Sequence, residues 1–266
     1  AALIPHLLLA RPGDGGGPGG WDVDRLSTKV CRLSQCQLTS IAIDRQGVLY
    51  WSEDDPDDFW GLGGWIRRVS LADPAAVEDV FPACHPAGLA LGASSGEQAP
   101  LYWSRNQDPC YPEDLHHGIF VLFDDAANSN HSVVAWPDAE PAGIAFDPYA
   151  GKIYWIDFEL DFMHYNVTIK RAAKDGREVE SLVSLPGRHL GLPIGSVALD
   201  LGAGRVYWIA LGRLQRASLN GSGVEDLVVA NDSASLGAGI ALDVSAGRMY
   251  WMQSWRGQPG CGLSSA

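Results

Sequence analysis

Short apolar runs and glycine-rich turns alternate along most of this 266-residue chain, and one pair of runs recurs five times. The first run of each pair is apolar at almost every position: SIAID, GLALG, GIAFD, SVALD and GIALD, ending at Asp44, Gly92, Asp147, Asp200 and Asp243. The second run contains Tyr-Trp, beginning at Tyr50, Tyr102, Tyr154, Tyr207 and Tyr250, with spacings of 52, 52, 53 and 43 residues. Apolar runs bounded by Gly, Pro and Asp predict β-hairpins, and their regular recurrence predicts a repeat protein.

Two further strands are predicted after the Tyr-Trp strand in four of the five copies. The third strands are GWIRRVSL, GIFVLF, VTIKRAA and GRLQRASLNGSG, and the fourth are AVEDVF, SVVAW, VESLVSL and VEDLVVA. Four antiparallel strands repeated at this length predict an all-β fold, a β-propeller of four-stranded blades. The first strand is expected to be innermost and buried on both faces. The Tyr-Trp pairs are expected to pack between blades, rather than to stack on sugars or bases.

The repeat resembles a known family. VALDLGAGRVYWIALGRLQRASLNGSGVEDLVV closely matches the low-density-lipoprotein receptor class B repeat, called YWTD, and the resemblance extends from about Thr39 to the end. It implies a six-bladed propeller on an extracellular protein that binds other proteins, with some members releasing ligand at endosomal pH. The acid that follows Tyr-Trp in the family is present only at Asp157. Its counterparts are Glu53, Arg105, Ala210 and Gln253. Since that acid makes structural hydrogen bonds in the family, apolar packing is expected to hold the blades here.

Two regions are predicted: an N-terminal segment, residues 1–37, and a propeller of five repeats, residues 38–266. The segment contains the flexible stretch GDGGGPGG, and its runs HLLLA and STKVCRLS predict strands. They either complete the last blade, in which only the first two strands are recognised, or end an earlier blade. No initiator Met is present, and the last repeat stops early, so a piece of a longer protein is expected, in which the ring is incomplete by one repeat.

The charge of the chain restricts its partners. The formal net charge is −13, which argues against nucleic acid because phosphate binding needs a basic surface. A basic protein ligand is favoured instead. No apolar run is long enough to span a membrane, so membrane attachment is expected only through regions outside this chain. No Cys/His spacing indicates zinc, and no cofactor is expected. Calcium at EDDPDD is the alternative considered, although its spacing does not fit an EF-hand loop.

Three long connections between second and third strands are predicted on one face of the propeller: Ser52 to Gly64, Ser104 to Gly118 and Ile156 to Asn166. Acidic and aromatic residues mix in them, as at many binding surfaces. The predicted ligand-binding residues are Asp54, Asp55, Asp57, Asp58, Phe59, Trp60, Tyr111, Glu113, Asp114, Phe158, Glu159 and Asp161. We call this set the loop face. The alternative is an ordinary solvated surface.

Histidines, cysteines and glycosylation sequons add to this picture. Five of the seven His are predicted on the loop face: His85, His116, His117, His164 and His189. Of these, His116, His117 and His164 are the candidates for a pH-dependent release site. The alternative is that they are exposed loop histidines without a functional role. Cys84 and Cys110 flank neighbouring strands and predict a disulfide. Four of six Asn lie in sequons, at Asn130, Asn166, Asn220 and Asn231, which favours an extracellular location.

The sequence therefore predicts an extracellular, receptor-like β-propeller that binds a protein ligand, and not an enzyme. One alternative is a calcium-dependent lactonase or esterase, for which the acids ending the first strands, Asp44, Asp147, Asp200 and Asp243, would point into the channel. The other is a structural matrix scaffold with the same fold. Gly92 to Gly96 matches G-x-S-x-G, but it lies in a hairpin turn rather than in a strand-to-helix elbow.

Overall fold

Antiparallel β-strands form the fold. The computed structural model describes residues 7–12, 21–27, 37–54, 64–93, 99–105, 118–122, 131–135, 139–161, 164–189, 195–230, 234–245, 247–255 and 261–265. Within these ranges every regular element is a strand, and the strands form six separate sheets. The predicted all-β fold of four-stranded antiparallel repeats is confirmed.

The sheets follow the sequence repeats. Two N-terminal strands, β1 (Leu7–Pro12) and β2 (Trp21–Ser27), pair with each other. The other five sheets are called blades 1 to 5. Blade 1 contains β3 (Gln37–Ile43), β4 (Val48–Asp54), β5 (Gly64–Ser70) and β6 (Asp73–Ala83). Blade 2 contains β7 (Pro86–Leu91), β8 (Leu101–Arg105), β9 (Gly118–Leu122) and β10 (His131–Ala135).

Blades 3 to 5 continue the same order. Blade 3 contains β11 (Ala139–Asp147), β12 (Lys152–Asp161), β13 (His164–Ala173) and β14 (Glu180–His189). Blade 4 contains β15 (Ser196–Asp200), β16 (Arg205–Ala210), β17 (Arg213–Ser218) and β18 (Glu225–Val229). Blade 5 contains β19 (Ala234–Asp243), β20 (Arg248–Trp255) and β21 (Cys261–Ser265). Two compact units result: one holds β1 to β6, and the other holds essentially all of blades 2 to 5.

A repeated polar row fixes the register of three blades. Each row joins the Tyr of the second strand to an Arg of the third and a Glu of the fourth: Tyr50–Arg68–Glu78, Tyr154–Arg171–Glu180 and Tyr207–Arg216–Glu225. The guanidinium donates to the Glu carboxylate at 2.7 Å in all three rows and also to the Tyr hydroxyl. Such exposed pairs contribute about 1 kcal/mol or less each. Their effect is to select one cross-strand alignment over its neighbours.

The apolar core of the second unit lies between successive blades. Trp155 of blade 3 packs with Tyr102 and Ile119 of blade 2, and Trp208 of blade 4 packs with Tyr154 of blade 3. Trp251 of blade 5 repeats the arrangement against the third strand of blade 4. The Trp of one blade therefore faces the preceding blade and the Tyr faces the following one. The predicted blade-to-blade role of the Tyr-Trp pairs is confirmed in this unit.

Glycine allows the innermost strands of blades 3 and 4 to approach closely. The Gly143 N–H donates to the Gly195 carbonyl at 3.3 Å, and a Cβ on Gly143 would lie 2.5 Å from that carbonyl oxygen. Contacts that short are excluded, so a larger residue would push the blades apart. Beside this contact, the Ser104 hydroxyl donates to the Ala142 carbonyl at 2.8 Å and joins blade 2 to blade 3.

The structure corrects three expectations about strands. The predicted loop from Ile156 to Asn166 is a continuous hairpin, because β12 extends to Asp161 and β13 starts at His164. Blade 5 has a third strand of its own, β21, which the sequence pattern did not reveal. In the described part of the chain, β1 and β2 form a sheet of their own and not part of blade 5, whereas most of STKVCRLS, residues 28–34, lies outside the described residues. The proposed boundary at residue 37 stays a prediction.

The innermost strand of blade 1 is not buried on both faces. Ile41 and Ile43 are 57% and 54% exposed, whereas Leu89 and Ile144, the counterparts of Ile41 in blades 2 and 3, are 5% and 6% exposed. In blade 3 that position is covered by residues of blade 2. An apolar strand thus predicts burial only where a neighbouring blade covers it.

Candidate functional site

In blade 1, the structure pairs a predicted ligand-binding residue with a histidine. Asp54 ends β4, and His85 lies in the connection from β6 to β7, so antiparallel topology brings both to the same end of the blade. His85 Nδ1 lies 3.1 and 3.2 Å from the two Asp54 carboxylate oxygens, and the side chains are only 17% and 19% exposed. A carboxylate only accepts hydrogen bonds, so the Nδ1–H of His85 donates. The carboxylate at the base of the acidic loop is therefore held in a fixed orientation.

The backbone around His85 is constrained. His85 has φ of +43°, a left-handed conformation that costs a non-glycine residue free energy. The preceding residue, Cys84, is 3% exposed and disulfide-bonded. A cross-link next to a strained residue restricts the ways in which that strain can relax. The predicted disulfide partner of Cys84 is Cys110, which lies outside the described residues, so this pairing stays a prediction.

Glu53, which precedes Asp54 in the same strand, belongs to an ion-pair cluster. Glu53 is 2% exposed and lies 3.8 Å from Arg67 Nη1, while Arg67 Nε donates to Asp79 at 2.7 Å. The guanidinium carbon also lies 5.8 Å from the ring centroid of Trp51, within cation–π range. The Glu53 and Asp79 carboxylates thus both interact with the Arg67 guanidinium. Glu53 and Asp54 are the last two residues of the strand that leads into the acidic loop.

Blade 3 contains a second buried ion-pair cluster. Lys170 is 5% exposed at its side chain and donates to Asp157 at 2.6 Å and also to Glu159. Burial lowers the pKa of Lys170, but hydrogen bonds to the two carboxylates outweigh burial and raise the pKa above its ordinary value. Burial raises the pKa of Asp157, and the hydrogen bond from Lys170 only partly offsets that effect. The cluster holds β12 to β13 from within the protein.

The structure corrects two predictions about the residues that follow Tyr-Trp. Phe158 is completely buried in the core between blades 3 and 4, so it offers no surface to a ligand. Apolar packing is expected to hold the blades, but charged residues are also buried at the position two residues after the Trp. Glu53, Arg105 and Asp157 are all at most 2% exposed. Glu159 is 42% exposed but is engaged with Lys170. Asp161 pairs with His164 in the backbone register of the hairpin.

Most remaining loop-face residues lie outside the described residues: Asp55, Asp57, Asp58, Phe59, Trp60, Tyr111, Glu113, Asp114, His116 and His117. For Asp161 and His164 only the backbone is described. Asn166 on β13 and Asn220 in the turn after β17 are exposed, whereas Asn130 and Asn231 lie outside the described part. The loop face and glycosylation therefore stay predictions beyond Asp54.

Sequence reasoning missed Arg67 and Lys170, although their signal was present. Both occupy the third-strand position that pairs with the Trp of the second strand, Trp51 and Trp155 respectively. Blade 4 has Gln215 there, which accepts a hydrogen bond from Trp208 Nε1 at 3.0 Å and donates to Asp226 at 2.7 Å. Aligning the third strands on this position would have shown a polar residue in an apolar setting. The His85–Asp54 pair had no local signal.

The aspartates that end the first strands stabilise the hairpin turns that follow them. Asp44 accepts hydrogen bonds from the N–H groups of Gln46 and Val48 at 2.9 and 2.8 Å, and Asp147 accepts from those of Tyr149 and Ala150 at 2.9 and 3.0 Å. Asp200 accepts from Ala203 at 2.9 Å. Among the described residues, no three His, Cys, Asp or Glu side chains are grouped to hold a metal ion. The same ranges contain no helix suited to cross a membrane.

Comparison with known proteins finds a relative with substantial sequence identity. The human low-density lipoprotein receptor-related protein 5-like protein is 39% identical over 166 residues, 61% of this chain and 54% of that relative. The resemblance to the YWTD-repeat β-propeller family is confirmed. The chain spans about half the length of this curated relative. It matches no protein-family model.

Solved structures share the fold of this chain. A chain of a nidogen–laminin complex superposes with a TM-score of 0.55 at 19% identity, covering 81% of this chain and 75% of that one. Hydrazine synthase of Kuenenia stuttgartiensis superposes with a TM-score of 0.59 at 12% identity, covering 91% and 38%. At such identities the likeness concerns the fold alone. Since an enzyme shares the fold, function has to be argued from residues.

Proposed function

We propose that this chain is an extracellular, receptor-like module that binds a basic protein ligand through its loop face. The observation that carries the proposal is the negative charge at the loop end of blade 1. There Glu53 and Asp79 both lie against the guanidinium of Arg67, and Asp54, paired with His85, ends the strand that leads into the acidic loop. The acidic sequence Asp54–Asp58 continues from this base. A like-charged surface of this kind attracts a partner of opposite charge and speeds its encounter.

Two further observations support a binding role over catalysis. Three of the four acids that a lactonase of this fold would need in its channel, Asp44, Asp147 and Asp200, hold hairpin turns through hydrogen bonds to backbone N–H groups. The relative with substantial identity is named for its relation to a receptor. The same relation, the disulfide at Cys84 and the sequons support an extracellular location.

The test compares two variants with equal loss of negative charge. Asp54→Asn with Asp55→Asn alters the base of the loop, and Asp175→Asn with Glu178→Gln alters an exposed hairpin turn at the other end of blade 3. Each secreted variant and the parent are screened against basic extracellular proteins by surface plasmon resonance. We expect the first variant to associate roughly tenfold more slowly at low salt, with a smaller difference at high salt. The second variant should behave as the parent.

Other outcomes would contradict the proposal. Equal loss in both variants would mean that net charge alone governs binding. Unchanged binding in both would remove the loop base from the site. The disulfide is tested separately: peptide mapping under non-reducing conditions should recover Cys84 linked to Cys110. A peptide linking Cys84 to another Cys would show that the second loop is not tied to this face.

A further inference from the structure

A groove lies between the outer strands of blades 3 and 4, both of which belong to the second unit. Its volume is about 440 Å³, within the range of about 300 to 1,000 Å³ that is usual for ligand sites. Its apolar wall includes Val183 and Leu185 of β14, Leu211 of the turn before β17, and Val224. Leu185 belongs to the core between these blades, and Val183 and Leu211 pack against it. The groove therefore continues the apolar core outward to the fourth strand of blade 3.

The polar groups of the groove are paired with one another. Gln215 Oε1 accepts a hydrogen bond from Trp208 Nε1 at 3.0 Å, and Gln215 Nε2 donates to Asp226 Oδ1 at 2.7 Å. The other carboxylate oxygen of Asp226 accepts from the Arg213 guanidinium. A charged side chain that entered the groove would lose its water and find both charges of the wall already paired. An apolar side chain meets no such cost, so the groove favours an apolar occupant.

The strand beside the groove is an edge. Among the described strands, β14 pairs with β13 alone. An edge strand presents backbone N–H and C=O groups that can pair with an added strand, and charged side chains on the edge oppose such pairing. β14 has no charged residue from Ser181 to Leu185, and Ser181 and Ser184 are exposed. β14 therefore lacks a charge that would oppose strand addition beside the groove.

The fourth strands of the other blades differ from β14. β6 and β18, which hold the same place in blades 1 and 4, each contain at least two acids. β10 of blade 2 also lacks Asp, Glu, Lys and Arg, but its side chains lie outside the described residues. Within the part of the chain whose side chains are described, an uncharged edge and an apolar groove thus meet at β14.

We propose that β14 accepts an extended segment of a partner polypeptide as a fifth strand of blade 3, with an aliphatic side chain of that segment in the groove. Backbone hydrogen bonds to the edge would supply affinity, and the groove would select the side chain, as where other peptides add to sheet edges. The turn after β17 limits the site, because a Cβ on Gly221 would lie 2.4 Å from the Leu182 carbonyl oxygen. The added strand would therefore pair with the edge from Val183 onward.

The experiment uses a fluorescein-labelled peptide amide, Thr-Val-Thr-Leu-Thr-Val-Thr, titrated with the full chain and followed by fluorescence anisotropy. Two further peptides carry N-methyl groups, one on its Thr amides and the other on its Val and Leu amides. Successive backbone amides of a strand point to opposite edges, and only one edge of the added strand faces β14. We expect saturable binding of the unmodified peptide, which one methylated peptide retains and the other loses. Replacing the central Leu by Asp should weaken binding at least about tenfold, 1.4 kcal/mol.

Two chain variants with the same change of charge test the groove. Val224→Glu places a carboxylate in the groove without altering β14, and it should weaken binding at least about tenfold. Val244→Glu is the control, because Val244 is also an exposed valine, 54% against 43% for Val224, but lies after the first strand of blade 5. It should bind the peptide as the parent chain does.

Several results would overturn the inference. These are no binding at about 1 mM chain, the same behaviour of both methylated peptides, or equal loss in the Val224 and Val244 variants. A chain dimer in sedimentation velocity that the peptide dissociates would assign the edge to β14 of a second copy instead. The loop-face variant Asp54→Asn with Asp55→Asn should bind the peptide as the parent does. Failure of one proposal is therefore distinguishable from failure of the other.

Discussion

Replacing Lys170 by methionine tests whether the buried cluster of blade 3 stabilises the fold. Lys170 and Asp157 have side-chain exposures of 5% and 2%, and their charged atoms are 2.6 Å apart. Methionine keeps the aliphatic length but leaves the Asp157 carboxylate buried without its cation. Removing one partner of a buried pair costs about 3 to 5 kcal/mol. Glu159 adds little to this cost because at 42% exposure water can solvate it.

The magnitude can be measured by thermal unfolding. For a domain of this size, 1 kcal/mol shifts Tm by about 2 to 4 °C, so Lys170→Met should lower Tm by roughly 6 to 20 °C. The control is Lys152→Met: Lys152 lies 3.9 and 3.5 Å from two half-exposed or exposed carboxylates, and its loss should cost less than about 1 kcal/mol. Adding Asp157→Asn to Lys170→Met should restore much of the stability, because the uncompensated charge is then gone.

The pH dependence follows from the raised pKa of Lys170. Its folded pKa lies above the ordinary 10.5, so the folded state holds the proton more tightly than the unfolded state. The stabilisation is complete below about pH 10 and is lost as pH rises through the folded pKa. The difference in unfolding free energy between the parent and Lys170→Met should therefore shrink above pH 10.5. A Tm within 3 °C of the parent at neutral pH, with no such change at alkaline pH, would refute a stabilising ion pair.

Three further outcomes are expected. Ile144→Ala should cost about 2 to 5 kcal/mol and Ile41→Ala less than about 1 kcal/mol in urea unfolding, because only Ile144 is covered by a neighbouring blade; equal costs would mean that Ile41 is buried in solution. Gly221→Ala should cost more than Gly223→Ala, since both have positive φ but only Gly221 also meets a carbonyl; the same denaturation assay decides. Cys84→Ser should lower the urea midpoint measurably, since a disulfide contributes about 2 to 4 kcal/mol, and an unchanged midpoint would contradict that role.

The sequence was sufficient to predict the strands because their signals are local. Alternation, glycine turns and the Tyr-Trp register located four strands in each of blades 1 to 4. Contacts between distant parts of the chain gave no such signal. His85 and Asp54 are 31 residues apart and meet only through sheet topology. The exposure of Ile41 depends on contacts with distant parts of the chain, and the burial of Phe158 depends on how far a hairpin extends beyond its expected end.

Because the blades share one strand order, we expect the residues that differ between equivalent positions of the blades to determine function. The aspartates that end the first strands of blades 1, 3 and 4 have the same structural role in each blade, because each accepts hydrogen bonds from a hairpin turn. They therefore belong to the repeated structure. Asp54 ends the second strand of blade 1, where blade 4 has Leu211 in a tight turn, and it is held by a histidine rather than by its own turn. Recognition is therefore expected where blades depart from their repeat, as at the long connections after the second strands of blades 1 and 2.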